Sequence, residues 1–319
     1  MGKLSFTLEE FQTAAATFRK ELLRLPLIGA DATLKYMTVR PGVRYEEMVG
    51  SVSADAEIAP YKAGRSSDAN LELNIRPLRT HFGSVNAKFE PNSAISTLLG
   101  HKASQASGDA LITTPTAQEV LACISKSVSN KLNMAIWSAK RDPNGETTST
   151  LFDGFDTITE KEIEDGNIAT DKNNLVVIDK EITEVNAVDI AKAILRSMDD
   201  SLREEKCYLY CPMDFYDKYC EAYQLTHGGI AYNTQYTQTF VEGSNGMLEI
   251  VPLSSKKGSK FLHVSPKANM LFGCDQLSDQ ETVRVKEFDP DILTLMMRMF
   301  AGVQFESIDP RRLLVAKIA

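Results

Sequence analysis

The sequence predicts an α+β chain in which an extended β-hairpin precedes one long helix and a compact mixed unit. Three observations predict it. Residues alternate with period two from about Pro41 to Glu90, an apolar stripe at helical spacing follows from Thr116, and helical and strand patterns mix from Glu184 to Asp275. At 319 residues the chain exceeds one ordinary domain of about 150 residues, so two cores are expected. An apolar share of 43% with 24% charged residues is that of a folded protein and excludes a disordered chain.

The first element is a short amphipathic helix. Thr7 and Glu10 stand at capping-box spacing, and Leu8, Phe11, Ala15, Phe18 and Leu22 recur on one face up to Leu25-Pro26. Its other face carries Arg19, Lys20 and Arg24, cations suited to solvent and to the negative end of the helix dipole. No stretch approaches the about 20 apolar residues of a membrane span, and this start replaces a signal peptide, so a soluble intracellular product is expected.

Leu71, Leu73 and Ile75 alternate with Glu72, Asn74 and Arg76, and Pro60 to Ser67 supplies turn chemistry, so 41–90 reads as two long strands of one hairpin. The outgoing strand, with Ser51-Val52-Ser53-Ala54-Asp55-Ala56, has little to bury. A lone hairpin is marginal in water, so this arm must rest on another surface, for which a second subunit is a candidate.

Thr116 with Glu119, or Thr114 before Pro115, starts the long helix. Leu121, Ile124, Val128, Leu132 and Ala135 form its stripe up to Trp137, over a length on the order of 35 Å. Asp142 to Gly145 is a turn, after which Leu151-Phe152-Asp153-Gly154-Phe155 docks an aromatic pair. A second helix from Glu184 to about Glu204 leads into a buried strand, Cys207 to Cys211, and a third helix carries Phe215, Tyr219 and Tyr223 until Gly228-Gly229 stops it. Strands at Met247–Pro252, Lys260–Val264 and Asn269–Cys274 complete the mixed unit, and the alternation of Val283, Val285, Val303, Phe305 and 313–318 returns the chain to strand. No internal repeat interrupts this order.

The chemistry searches end in negatives. Lys256-Lys257-Gly258-Ser259 lacks Walker spacing and Gly243-Ser244-Asn245-Gly246 is no nucleophile elbow. Cys123, Cys207, Cys211, Cys220 and Cys274 form neither a disulfide framework nor a paired metal knuckle with His227 or His263, and free, mostly buried thiols are expected. Glu160, Glu162, Glu164 and Asp165 read as a solvated acidic segment, because nothing nearby desolvates them. The most site-like polar group is His227 beside Gly228-Gly229 and Tyr232. A net charge of −8 argues against a dedicated nucleic-acid reader and leaves loose enclosure of DNA open.

The order of arm, hairpin, long helix, mixed unit and returning strands resembles the Hong Kong 97 phage-capsid family. Asn133-Met134-Ala135-Ile136-Trp137, the glycine-bearing turn and Phe152-Asp153-Gly154-Phe155 resemble the end of its spine helix and the link beyond, and Pro266 to Asp275 resembles the strand and turn that close its axial domain. The resemblance implies an N-terminal arm at 1–40, an extended hairpin loop at 41–90, a peripheral domain of 91–180 with 280–319 around a spine helix at 116–139, and an axial domain at 181–279.

It implies no enzyme, cofactor or metal, but a major capsid protein of tailed phages, assembled in the host cytoplasm into the virion. Partners would be further copies of itself in hexamers and pentamers, a separate scaffolding protein, a portal and packaged double-stranded DNA, with no membrane. Tyr61, Lys62, Arg65, Arg76, His227 and Tyr232 are the candidate subunit contacts. Two other readings stand: a nanocompartment shell of the same fold around an enzyme cargo, and a soluble α+β enzyme with a pocket near His227 and the hairpin as a dimerisation arm.

Overall fold

The computed structural model describes residues 12, 31–55, 60, 70–90, 116–227, 239–275, 283–289 and 292–318. After a single helical turn α1 (Asp31–Leu34), the chain forms β1 (Thr38–Pro41), β2 (Glu46–Asp55), β3 (Asn70–Arg79) and β4 (His81–Phe89). The hairpin is narrower than the alternation suggests. β2 and β3 pair antiparallel from Glu46↔Arg79 to Asp55↔Asn70, whereas β4 leaves the ribbon and pairs with β11 (Ile292–Phe305) from His81↔Ala301 to Phe89↔Leu293. The switch falls at Thr80, whose N–H donates to the Tyr45 carbonyl at 2.8 Å and whose hydroxyl donates to that of Val43 at 3.1 Å.

β11 organises one sheet. Its first half lies between β4 and β10 (Val283–Asp289), and its last residues pair with β9 (Met270–Cys274), which pairs in turn with β1. At the crossing, a Cβ on Gly302 would stand 2.1 Å from the Arg79 carbonyl oxygen, so only glycine lets the two backbones pass.

The long helix α2 (Thr116–Ser138) packs across this sheet, though rotated from the predicted stripe. Leu121, Leu132 and Ala135 are buried as expected, but Ile124 and Val128 are only half-buried, and Ser125 and Ser129 take the inward positions. Ser125 can do so because its hydroxyl donates back to the Leu121 carbonyl at 3.0 Å, so that this hydroxyl is not buried unpaired. Beyond the Asp142 turn, Phe152 and Phe155 both dock as expected. Gly154 is required between them, since a Cβ there would meet the Trp137 carbonyl oxygen at 2.4 Å.

α3 (Phe155–Glu164) and β5 (Leu175–Ile178) lead into the second unit. The helix expected from Glu184 to Glu204 is two, α4 (Ala187–Arg196) and α5 (Asp200–Glu204), because the Asp199 side chain caps a new start by accepting from Ser201 N–H at 2.9 Å. Then come β6 (Cys207–Pro212), α6 (Met213–His227), β7 (Leu248–Leu253), β8 (Phe261–Ser265) and finally β12 (Leu314–Ile318). Their sheet has the order β5-β12-β8-β6-β7.

That sheet separates two cores. Cys207, Leu209 and Cys211 of β6 face one, with Ile194, Leu202 and Tyr219 of the helices, while Tyr210 faces the other with Trp137, Phe155, Phe272 and Phe305. β9 joins β1, β4, β10 and β11 in the first sheet, and β12 lies between β5 and β8 in the second, while β2 and β3 form a two-stranded sheet of their own. All five cysteines are free, with Cys207, Cys211 and Cys274 buried. No described helix is long and apolar enough to cross a membrane.

Candidate assembly surface

Among the described residues the hairpin is anchored at its base. Val43, Val49 and Leu78 form a small cluster with Leu271 of β9, and Tyr45, held at a positive φ of 71°, turns the chain into β2. Arg76 ties β3 inward through an ion pair with Glu162 on α3, and Gln304 donates to the Pro77 carbonyl at 3.1 Å. Glu162 therefore leaves the acidic segment in which the sequence placed it: half-buried, it also accepts from Asn167 Nδ2 at 2.8 Å. A cleft of about 600 Å³ runs beneath this stretch, lined by Asn74, Arg76, Asn167, Lys172, Asn174 and Asp309 among others.

The ladder fixes what the ribbon shows to solvent. Val49 and Leu78 point inward, so Met48, paired with Pro77, and Ile75, paired with Gly50, point outward. Met48 is 66% exposed, Ile75 57% and Tyr45 70%. Leu73 and Leu71 follow Ile75 at the same parity in β3, and Val52 and Ala54 stand opposite them. The apolar half of the alternation thus starts on the face that is exposed at Met48 and Ile75, and among the described residues neither edge of the ribbon pairs with another strand. A row of large apolar side chains held in water marks an interaction surface.

A second feature is buried. Lys256, in the turn before β8, is 1% exposed and its ammonium lies 2.7 Å from Asp156 Oδ1, 3.0 Å from His263 Nδ1 and 4.1 Å from the centre of the Trp137 ring. His263 Nε2 is 2.8 Å from the Thr159 hydroxyl. Burial, with Lys256 beside it, holds the imidazole well below its usual pKa, so it is neutral, accepting from Lys256 at Nδ1 and donating to Thr159 from Nε2. Burial also lowers the Lys256 pKa, against the opposing pull of Asp156. The group fastens α3 and the end of α2 to β8. Sequence gave no hint of it, because Lys256-Lys257-Gly258-Ser259 has the composition of an exposed turn.

Of the candidate contacts, Tyr61, Lys62, Arg65 and Tyr232 lie outside the described residues. His227 is the last residue of α6, its side chain outside the description, so the proposed pocket around it is outside as well. Arg76 is described, and its guanidinium is directed to Glu162 within its own subunit. Among the described residues no group of three His, Cys, Asp or Glu side chains is placed to hold a metal ion.

No family model and no curated protein matches the sequence. Solved structures do. A chain of the satellite phage P4 procapsid that includes the size determination (Sid) protein superposes with a TM-score of 0.60 at 12% identity, over 94% of this chain and 91% of that one. A chain from the capsid of a native GTA particle gives 0.55 at 12% identity over 90% of both chains. A chain of Mycobacterium phage Ogopogo gives 0.51 at 13% identity over 90% of this chain and 91% of that one. The protein has the phage-capsid fold, along nearly its whole length.

Proposed function

We propose that the protein is the major capsid protein of a tailed phage, a structural and non-catalytic subunit that closes in many copies into an icosahedral shell around double-stranded DNA. The observation that carries this reading is the hairpin. It presents Tyr45, Met48 and Ile75 to solvent at the start of a ten-pair ladder that has no third strand among the described residues, which suits a chain whose ordered state includes its neighbours. The likeness to chains of a procapsid and a capsid over at least 90% of the chain supports the same reading.

The division into arm, hairpin loop, peripheral and axial domains belongs to this proposal. So do a separate scaffolding protein, a portal, assembly in the host cytoplasm and subunit contacts near the hairpin tip. The test is light scattering with electron microscopy of the full chain, alone and co-expressed with its neighbouring genes. Closed hollow particles are expected; a small closed oligomer under every condition would overturn the reading.

A further inference from the structure

We infer that Lys256 and Asp156 condense inside the folded subunit to an isopeptide bond, with His263 as the proton carrier. The inference goes beyond the shell reading and does not depend on it, because all three side chains belong to one subunit and meet in its interior.

Two elements bring the reactants together. Asp156 stands in the first turn of α3, which the buried Phe155 anchors, and Lys256 ends the single 3-10 turn Ser254–Lys256 before β8. The lysine side chain is 0% exposed and the aspartate side chain 14%. The 2.7 Å contact of Nζ with Oδ1 has the Trp137 ring as its wall, 4.1 Å from Nζ. As a stabilising device such a pair is weak, since taking two charges out of water costs about as much as their attraction returns. Condensation removes both charges at once. Burial lowers the Lys256 pKa, so the free amine, which is the nucleophilic form, lies closer to hand than in an exposed lysine.

The base is in place as well. Neutral His263 donates from Nε2 to the Thr159 hydroxyl at 2.8 Å, which leaves the Nδ1 lone pair 3.0 Å from Nζ and 3.9 Å from Oδ1. His263 takes a proton from the ammonium and gives it to Oδ1, setting a neutral amine against a neutral carboxylic acid, the pair that a buried site favours over two ions. Nζ then attacks Cγ. The Nζ–Cγ bond forms, a second proton passes from Nζ to Oδ1, the Cγ–Oδ1 bond breaks, and one water leaves by the exposed edge of Asp156. The amide nitrogen keeps the third hydrogen, so atoms and charge balance without a co-reactant. Nucleophile and electrophile held in contact react as if at concentrations on the order of 10⁵ M or more, which drives a condensation that a free amine and carboxylate in water do not undergo. The ion pair described above is the state before this step; the bond after it spans 100 residues of sequence and fastens α3 covalently to the turn before β8.

The test is mass spectrometry of the full chain, held folded at neutral pH until its mass is constant and then unfolded. The wild type should lose the mass of one water, and trypsin should release residues 142–161 joined to residues 219–257 as one branched peptide. Lys256→Arg keeps a cation but has no primary amine, and should give the full mass with the two peptides apart. His263→Phe should slow the loss of water by about a hundredfold or more. A wild type that keeps its full mass, or that loses water within residues 142–161 alone, as a succinimide at Asp153-Gly154 would, overturns the inference and leaves an ion pair, with the shell reading untouched. A bond that closes at the wild-type rate in His263→Phe overturns the role given to the imidazole.

Discussion

Lys256 and His263, both buried, meet the partly buried carboxylate of Asp156; Tyr210 and the Cys211 thiol stand in the cores on either side, both with their pKa raised by burial. A second positive charge there is strongly disfavoured, so folded His263 stays neutral while the unfolded imidazole takes up a proton near pH 6.5. The unfolded state then binds more protons as pH falls. The stability due to neutral His263 is thus fully present above about pH 6.5 and drains below it, at up to about 1.4 kcal/mol per pH unit. Urea unfolding of wild type and His263→Phe between pH 8 and pH 5 should show a smaller fall in the variant; equal slopes would mean that the imidazole is not held neutral. Replacing Lys256 with Ala should cost about 3–5 kcal/mol in the same measurement, because it strips a partly buried carboxylate of its cation and opens a cavity. A cost below about 1 kcal/mol would show the ion pair to be dispensable.

Elements were legible where local pattern decides them. β7, β8 and β9 fall within a residue or two of the strands read from sequence, because Gly258 with its positive φ and Pro266 bound them locally. The division of β3 from β4 was not legible: alternation continues through Thr80 without a break, and only β11, some two hundred residues later, decides which strand pairs where. The break between α4 and α5 hid for a related reason, since Met198 and Leu202 keep the apolar stripe while Asp199 ends the helix. The burial of Lys256 depends on Asp156, a hundred residues away, and no local pattern carries it.

The strand division changes what a hairpin deletion should do. Replacing Gly50–Asn74 with a short turn keeps Val49, Leu78 and β4 in place, so the monomer should keep its spectrum and its unfolding free energy to within about 1 kcal/mol while losing assembly. Extending the deletion through Lys88 removes β4 from β11 and should unfold that sheet. If both deletions unfold alike, the ribbon is part of the core. Leu78→Ala, at a fully buried position in the base, should cost about 2–5 kcal/mol, whereas Ile75→Ala on the outward face should change monomer stability by no more than about 0.5 kcal/mol and weaken assembly.

At the scale of the whole molecule, two apolar cores flank one sheet, and the described outward residues of the ribbon, Met48 and Ile75, stand in solvent. In the proposed shell, neighbouring subunits close that face. The most direct measurement is cryo-electron microscopy of the purified full chain, with light scattering on the same sample. Closed icosahedral particles in which each hairpin lies across an adjacent subunit are the predicted result; discrete dimers or small rings, with the hairpin folded back on its own chain, would contradict the account.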